Sequence, residues 1–317
     1  FQTPSTPLAK LIDASLPDAD ATGDYNVLLI GDARLLPVPS TEYRDGVSWA
    51  IIDDGALDAR DRWMPPANGA AELSTTALDE VSASSTLRAG RLLAPLGIRY
   101  VVIPEFDGVV STVDDPLPTP VGLVSSMEDQ LDLVARTPRL PTLEVFENRA
   151  WLPTTALLTG SAAQASQSAG PEVLVRADLS ESTPVFVGAD QFDTAVESVG
   201  AGVVHLAVPF DDNWTLTVDG TAVPARRAFG ETTAFDVATG GVGELRYESP
   251  INRLLLVLLQ VAFWIAALLI VSRVQVPSRR RTSLAATDEP IIDLSGEPLS
   301  DLTVEQTPSS EPHASDQ

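Results

Sequence analysis

The sequence predicts an α/β domain followed by an antiparallel β-sandwich, one C-terminal transmembrane helix and a disordered tail. Three observations lead there. Apolar runs alternate with helical periods in the first half, strict strand-like alternation without a helical period fills about Pro184 to Tyr247, and an uncharged apolar run covers Leu254–Val271.

The chain opens on Phe1 without the basic flank and apolar stretch of a secretory signal, so either a processed export signal or a part lying upstream accounts for its start. Residues 1–23 read as an N-terminal linker. In them Asp18, Asp20 and Asp24 imitate a calcium loop, but Leu29 stands where the bidentate Glu belongs, and an acidic surface turn accounts for the pattern. The α/β domain is assigned to 24–157. Its strands are Tyr25–Ile30, Val47–Ile52, Tyr100–Ile103 and Leu143–Phe146. Ala89, Leu92, Leu93 and Leu96 share a helix face that ends at Gly97. Ser125 and Glu128 form a capping-box pattern ahead of Met127, Leu131 and Val134, which predicts a second helix reaching to Pro138. The connections are long enough for parallel pairing.

Ser-, Ala- and Gly-rich residues 158–170 read as a linker to the β-sandwich, residues 171–250. Its strands are Val203–Val208, Trp214–Val218 and Thr233–Val237, and Asp219-Gly220 is the signature of a type I′ hairpin turn. The run Leu254–Val271 contains eighteen residues with Gln260 as its one strongly polar side chain. Such a run is about 27 Å of helix, so a span over 254–272 is predicted, with the lipid bilayer as partner. Arg273, Arg279, Arg280 and Arg281 follow it, which puts the tail, 273–317, in the cytoplasm of a plasma-membrane protein and residues 1–250 outside. The tail is rich in Ser, Pro, Asp and Glu and reads as disordered.

The net charge is −24, and about −20 of it belongs to the part before Arg273, because the tail sets eight carboxylates against four arginines. A surface this acidic argues against nucleic acid as a partner. There is no cysteine, hence no disulfide, thiolate metal site or cysteine nucleophile. His205 and His313 are the two histidines, too few and too far apart in sequence to suggest a metal site. Neither a nucleophile elbow nor a phosphate-binding glycine loop occurs, so no catalytic, cofactor-binding or metal residue is assigned and no cofactor is expected. Trp151 and Trp214 are candidates to stack on sugar rings, with a core role as the alternative for each.

Three segments in order, Leu92–Val102, Leu143–Pro153 and Pro209–Gly220, resemble the extracytoplasmic C-terminal region of YfhO-like bacterial membrane proteins and related multi-spanning glycosyltransferases of the GT-C type. The resemblance implies the non-catalytic outer region of an integral-membrane glycosyltransferase in cell-envelope glycan assembly. Its partners would be an N-terminal multi-spanning domain carrying the catalytic loops and a lipid-linked sugar or envelope glycan. The rival is a single-span surface protein that binds a partner or a polysaccharide without enzymatic activity. A hydrolase acting through scattered carboxylates is a third reading.

Overall fold

The computed structural model describes residues 7–17, 22–44, 46–53, 68–137, 142–188, 194–248 and 251–273. Most of the ordered elements are strands, gathered in three sheets. The first sheet uses β1 (Asn26–Gly31), β2 (Thr41–Arg44), β3 (Val47–Asp53), β4 (Ile98–Pro104), β5 (Leu133–Ala135) and β6 (Leu143–Asn148) in the order β2-β3-β1-β4-β6-β5. Of its pairings β1–β4 alone is parallel, and the other four are antiparallel. The expected parallel α/β domain is therefore corrected to a mixed, mainly antiparallel sheet.

Alternation explains why this sheet is covered on both faces. Leu28, Ile30, Val101 and Ile103 point into one core, and Val27, Leu29, Tyr100 and Val102 into another. The second core is closed by helix α1 (Pro7–Ser15) through Leu8, Ile12 and Leu16. A helix therefore lies inside the stretch read as an N-terminal linker.

On the opposite face lie α2 (Asn68–Ser82), α3 (Ala89–Leu93, continued by a 3-10 turn to Leu96), α5 (Gly160–Ala165) and α6 (Pro171–Arg176). These helices also cover the second sheet. That sheet has the order β13-β14-β10-β7-β8, built from β7 (Thr155–Leu158), β8 (Ser182–Pro184), β10 (Gly202–Pro209), β13 (Ala225–Ala228) and β14 (Thr232–Val237). One apolar core contains Leu73 and Leu78 of α2, Leu92 of α3, Ala162 of α5, Phe146 of the first sheet, and Leu158, Val203 and Ala234 of the second. Because the two halves share this core, residues Phe1–Leu256 form one compact unit, and the two-domain division is not seen. Residues 158–170 are likewise no linker: they hold the last residue of β7 and all of α5.

The other face of the second sheet packs on a third sheet, β12-β11-β15-β9, made of β9 (Ala195–Val199), β11 (Trp214–Val218), β12 (Thr221–Val223) and β15 (Gly241–Tyr247). Val204, Leu206 and Phe235 meet Leu216, Val218 and Leu245 between them. The β11–β12 turn pairs Val218 with Thr221, and Asp219 (φ 49°) and Gly220 (φ 76°) both take the positive φ of a type I′ turn.

The helix expected around Ser125 is also corrected. Helix α4 (Leu123–Glu128) is short, its N-cap is Gly122 rather than Ser125, and Leu133 belongs to strand β5. Leu131 and Val134, placed on the buried face by the helical reading, are 66% and 43% exposed.

The last helix, α7 (Ile251–Arg273), occupies the place of the predicted transmembrane span. Among the described residues no helix is long and apolar enough to cross a membrane, and that prediction is corrected. Its described side chains run from Leu256 to Val271. These side chains, among them Leu259, Phe263, Trp264 and Leu268, are exposed. Residues 274–317 and the first part of the calcium-like run, 18–21, lie outside the described residues.

Candidate functional site

A cavity of about 550 Å³ opens where the first sheet, α6 and β8 meet, lined by Thr22, Arg91, Arg149, Trp151, Asp178 and Ser180 together with neighbouring Ala150, Pro153, Leu179, Ser182 and Pro184. Its size lies within the roughly 300–1,000 Å³ usual for small-molecule sites.

A buried polar knot fixes its upper wall. The carboxylate of Asp132 accepts the backbone N–H groups of Gly90 and Arg91, each at 3.0 Å, and Gln130 accepts that of Ala89 at 3.0 Å. Asn148 donates from Nδ2 to the carbonyls of Gly90 and Ile98, both at 2.8 Å, while its Oδ1 accepts the N–H of Ala150 at 2.9 Å. A Cβ on Gly90 would stand 2.1 Å from Asn148 Oδ1, so only glycine admits this approach. The knot sets Arg91 at the start of α3 and Arg149–Trp151 after β6. Arg91 then donates to the carbonyl of Val175 at 3.0 Å. Arg149 pairs with Glu147 at 3.2 Å and keeps 62% of its side chain exposed.

Trp151 is half-buried and held from two sides. Tyr25 meets it edge-on at 6.3 Å, and the Arg99 guanidinium sits 4.7 Å from its ring centroid while donating to Thr22 Oγ1 at 3.1 Å. The floor depends on Gly23 (φ 102°), where a Cβ would lie 2.8 Å from Pro184 and 2.9 Å from Pro153. Opposite, Asp178 Oδ1 accepts the N–H of Ser180 at 3.0 Å and its hydroxyl at 2.7 Å. The hydroxyl, then the N–H, and then the Arg91 charge hold the Asp178 carboxyl below the usual carboxylate range, so it is an anion at neutral pH.

The two sequence candidates thus part company. Trp151 lines the cavity, whereas Trp214 on β11 packs edge-on against Tyr247 at 5.3 Å, and Tyr247 donates to Asp211 at 2.8 Å. Trp214 is a contributor to the core between the second and third sheets. His205 is fully buried on β10. Its Nε2 lies 3.0 Å from the Thr232 hydroxyl, which itself donates to the Ala228 carbonyl at 2.9 Å. The hydroxyl has spent its proton, so Nε2 is the donor and the ring is neutral. Burial, helped by Arg226, pushes its pKa down to about 3. Among the described residues no three His, Cys, Asp or Glu are grouped to hold a metal.

Arg91, Arg149, Asp178 and Ser180 carry no pattern that marks them in the sequence. They are gathered from α3, the turn after β6 and the loop after α6. The sequence feature that does bear on the site is the Glu147-Asn148 pair closing the strand within Leu143–Pro153, since Asn148 is the centre of the knot. In comparisons with protein-family models, curated proteins and solved structures, nothing matches this chain.

Proposed function

We propose that this chain is a non-catalytic, saccharide-holding region of a bacterial membrane glycosyltransferase of the cell envelope. The observation that carries the reading is the cavity built on Trp151. A half-buried indole, a carboxylate with a free Oδ2 among the described residues, guanidinium donors and the hydroxyls of Thr22, Ser180 and Ser182 are what a sugar ring requires: one apolar face and a set of hydroxyl partners. Two of the three segments that resemble GT-C-type enzymes meet here. Leu92–Val102 supplies Arg99, and Leu143–Pro153 supplies Arg149, Trp151 and Pro153.

A glycan array probed with the full chain in mild detergent tests the proposal. Binding of envelope-type saccharides is expected, lost in Trp151→Ala and kept in Trp214→Ala, with thermal unfolding showing that each variant is folded. An array on which no saccharide binds, or on which both variants bind as the parent does, removes the reading.

A further inference from the structure

Resting on the saccharide reading, we infer that the ligand of the Trp151 cavity is an acidic sugar, one carrying a carboxylate or a phosphate. The inference comes from how charge is distributed. Before Arg273 the chain carries a net charge of about −20, yet Arg91 and Arg149 line this cavity and Arg99 is stacked on its tryptophan. Against these three guanidinium groups stand Asp178 in the lining and Glu147 beside Arg149. With Asp132 of the knot behind Arg91 also counted, the charges balance locally, on a body that is otherwise strongly negative.

The three arginines are not equally free. Arg99 is engaged by Thr22 and by the rings of Tyr25, Tyr100 and Trp151, and serves to hold the indole. Arg91 has one N–H committed to Val175. Arg149 touches Glu147 at one point, 3.2 Å away, and is largely open, so its planar fork retains donors for a bidentate oxyanion. Asp178 faces the other way chemically. Its Oδ1 is filled by Ser180, and as an anion it accepts hydrogen bonds from hydroxyls and repels a second negative charge, which orients an acidic sugar with its anionic group toward Arg149.

The test is a titration, followed by NMR, of the full chain in neutral detergent with methyl glucuronide, methyl glucoside, glucose 1-phosphate and inorganic phosphate. The two acidic sugars are expected to bind at least tenfold more tightly than methyl glucoside, and inorganic phosphate alone more weakly than glucose 1-phosphate. The preference falls with added salt. It disappears in Arg149→Gln and survives in part in Arg149→Lys, which keeps the charge without the fork. Whichever of the glucuronide and the phosphate binds more tightly identifies the anionic group. Equal affinity for glucuronide and glucoside overturns the acidic preference and leaves the saccharide reading standing. Phosphate binding as tightly as glucose 1-phosphate, or no binding of any sugar, overturns both.

Discussion

The first sheet and the pair formed by the second and third sheets are held by different means. The first is tied by long-range polar contacts: Asp132 and Asn148 reach back more than forty residues to secure the start of α3. The sheet pair combines tight hairpins, β11 to β12 across two turn residues and β13 to β14 across three, with longer-range strand pairs such as β10 with β7, and it is held by an apolar interior between the layers. Regions of the first kind place catalytic or binding side chains well, because each group is fixed from several directions. Regions of the second kind supply a rigid support. The Trp151 cavity lies on the knot.

If the contrast holds, damage to the knot should cost most. Asn148→Ala leaves the carbonyls of Gly90 and Ile98 and the N–H of Ala150 without their partner, and a loss of about 3–5 kcal/mol in urea unfolding is expected. A loss under about 1 kcal/mol would show that the knot is decorative.

Next comes His205, a titratable group buried in the sheet pair. His205 has its pKa lowered to about 3 in the folded chain, against an ordinary value of 6.5, so the unfolded chain binds the extra proton. Its contribution to stability is therefore complete above pH 6.5 and lost as the pH falls toward 3, at no more than about 1.4 kcal/mol per pH unit. His205→Gln should flatten the stability profile between those limits in equilibrium unfolding followed across pH. A profile unchanged by the substitution would mean that the ring is not the buried neutral group described above. Since the two halves share a core, the fluorescence of Trp49 and of Trp214, each isolated by Trp→Phe replacements elsewhere, should report one transition and not two.

Local changes in the third sheet should matter less. A side chain at Gly220 meets nothing within 4 Å, so Gly220→Ala tests the positive φ alone, with about 1–2 kcal/mol expected from thermal unfolding. The smallest effect belongs to the exposed Arg246–Glu248 pair, 2.8 Å apart with both side chains about half exposed. Glu248→Gln should change stability by less than about 0.5 kcal/mol.

The misread elements share a physical cause. The Ser/Ala/Gly stretch over 158–170 looks like a flexible connector, yet Ala162 and Ser166 are 0% and 1% exposed. Small residues there allow close packing under Phe229, whose N–H donates to Ser166, and composition does not distinguish a residue that is small to bend from one that is small to fit. Leu131 and Val134 complete a helical period by chance. What makes Leu133–Ala135 a strand is the waiting edge of β6, where Leu133 pairs with Asn148. The direction of pairing was equally hidden, because the long connection from β4 to β6 suits either sense, and the chain takes the antiparallel one.

By itself the sequence determined buried strands at Tyr25–Ile30 and Tyr100–Ile103, which the structure places at Asn26–Gly31 and Ile98–Pro104, the helix face of Leu92 and Leu93, the Asp219-Gly220 turn and Trp151 as a residue to watch. Each of these rests on a period or a backbone preference that operates within a few residues. Tertiary structure alone decided the sharing of one core by both halves, the knot at Asn148, the exposed surface of α7 and the meeting of Arg91, Arg149 and Asp178 around an indole. Those depend on which surfaces find each other after the strands have paired, and residues far apart in the chain leave no mark on one another's local sequence.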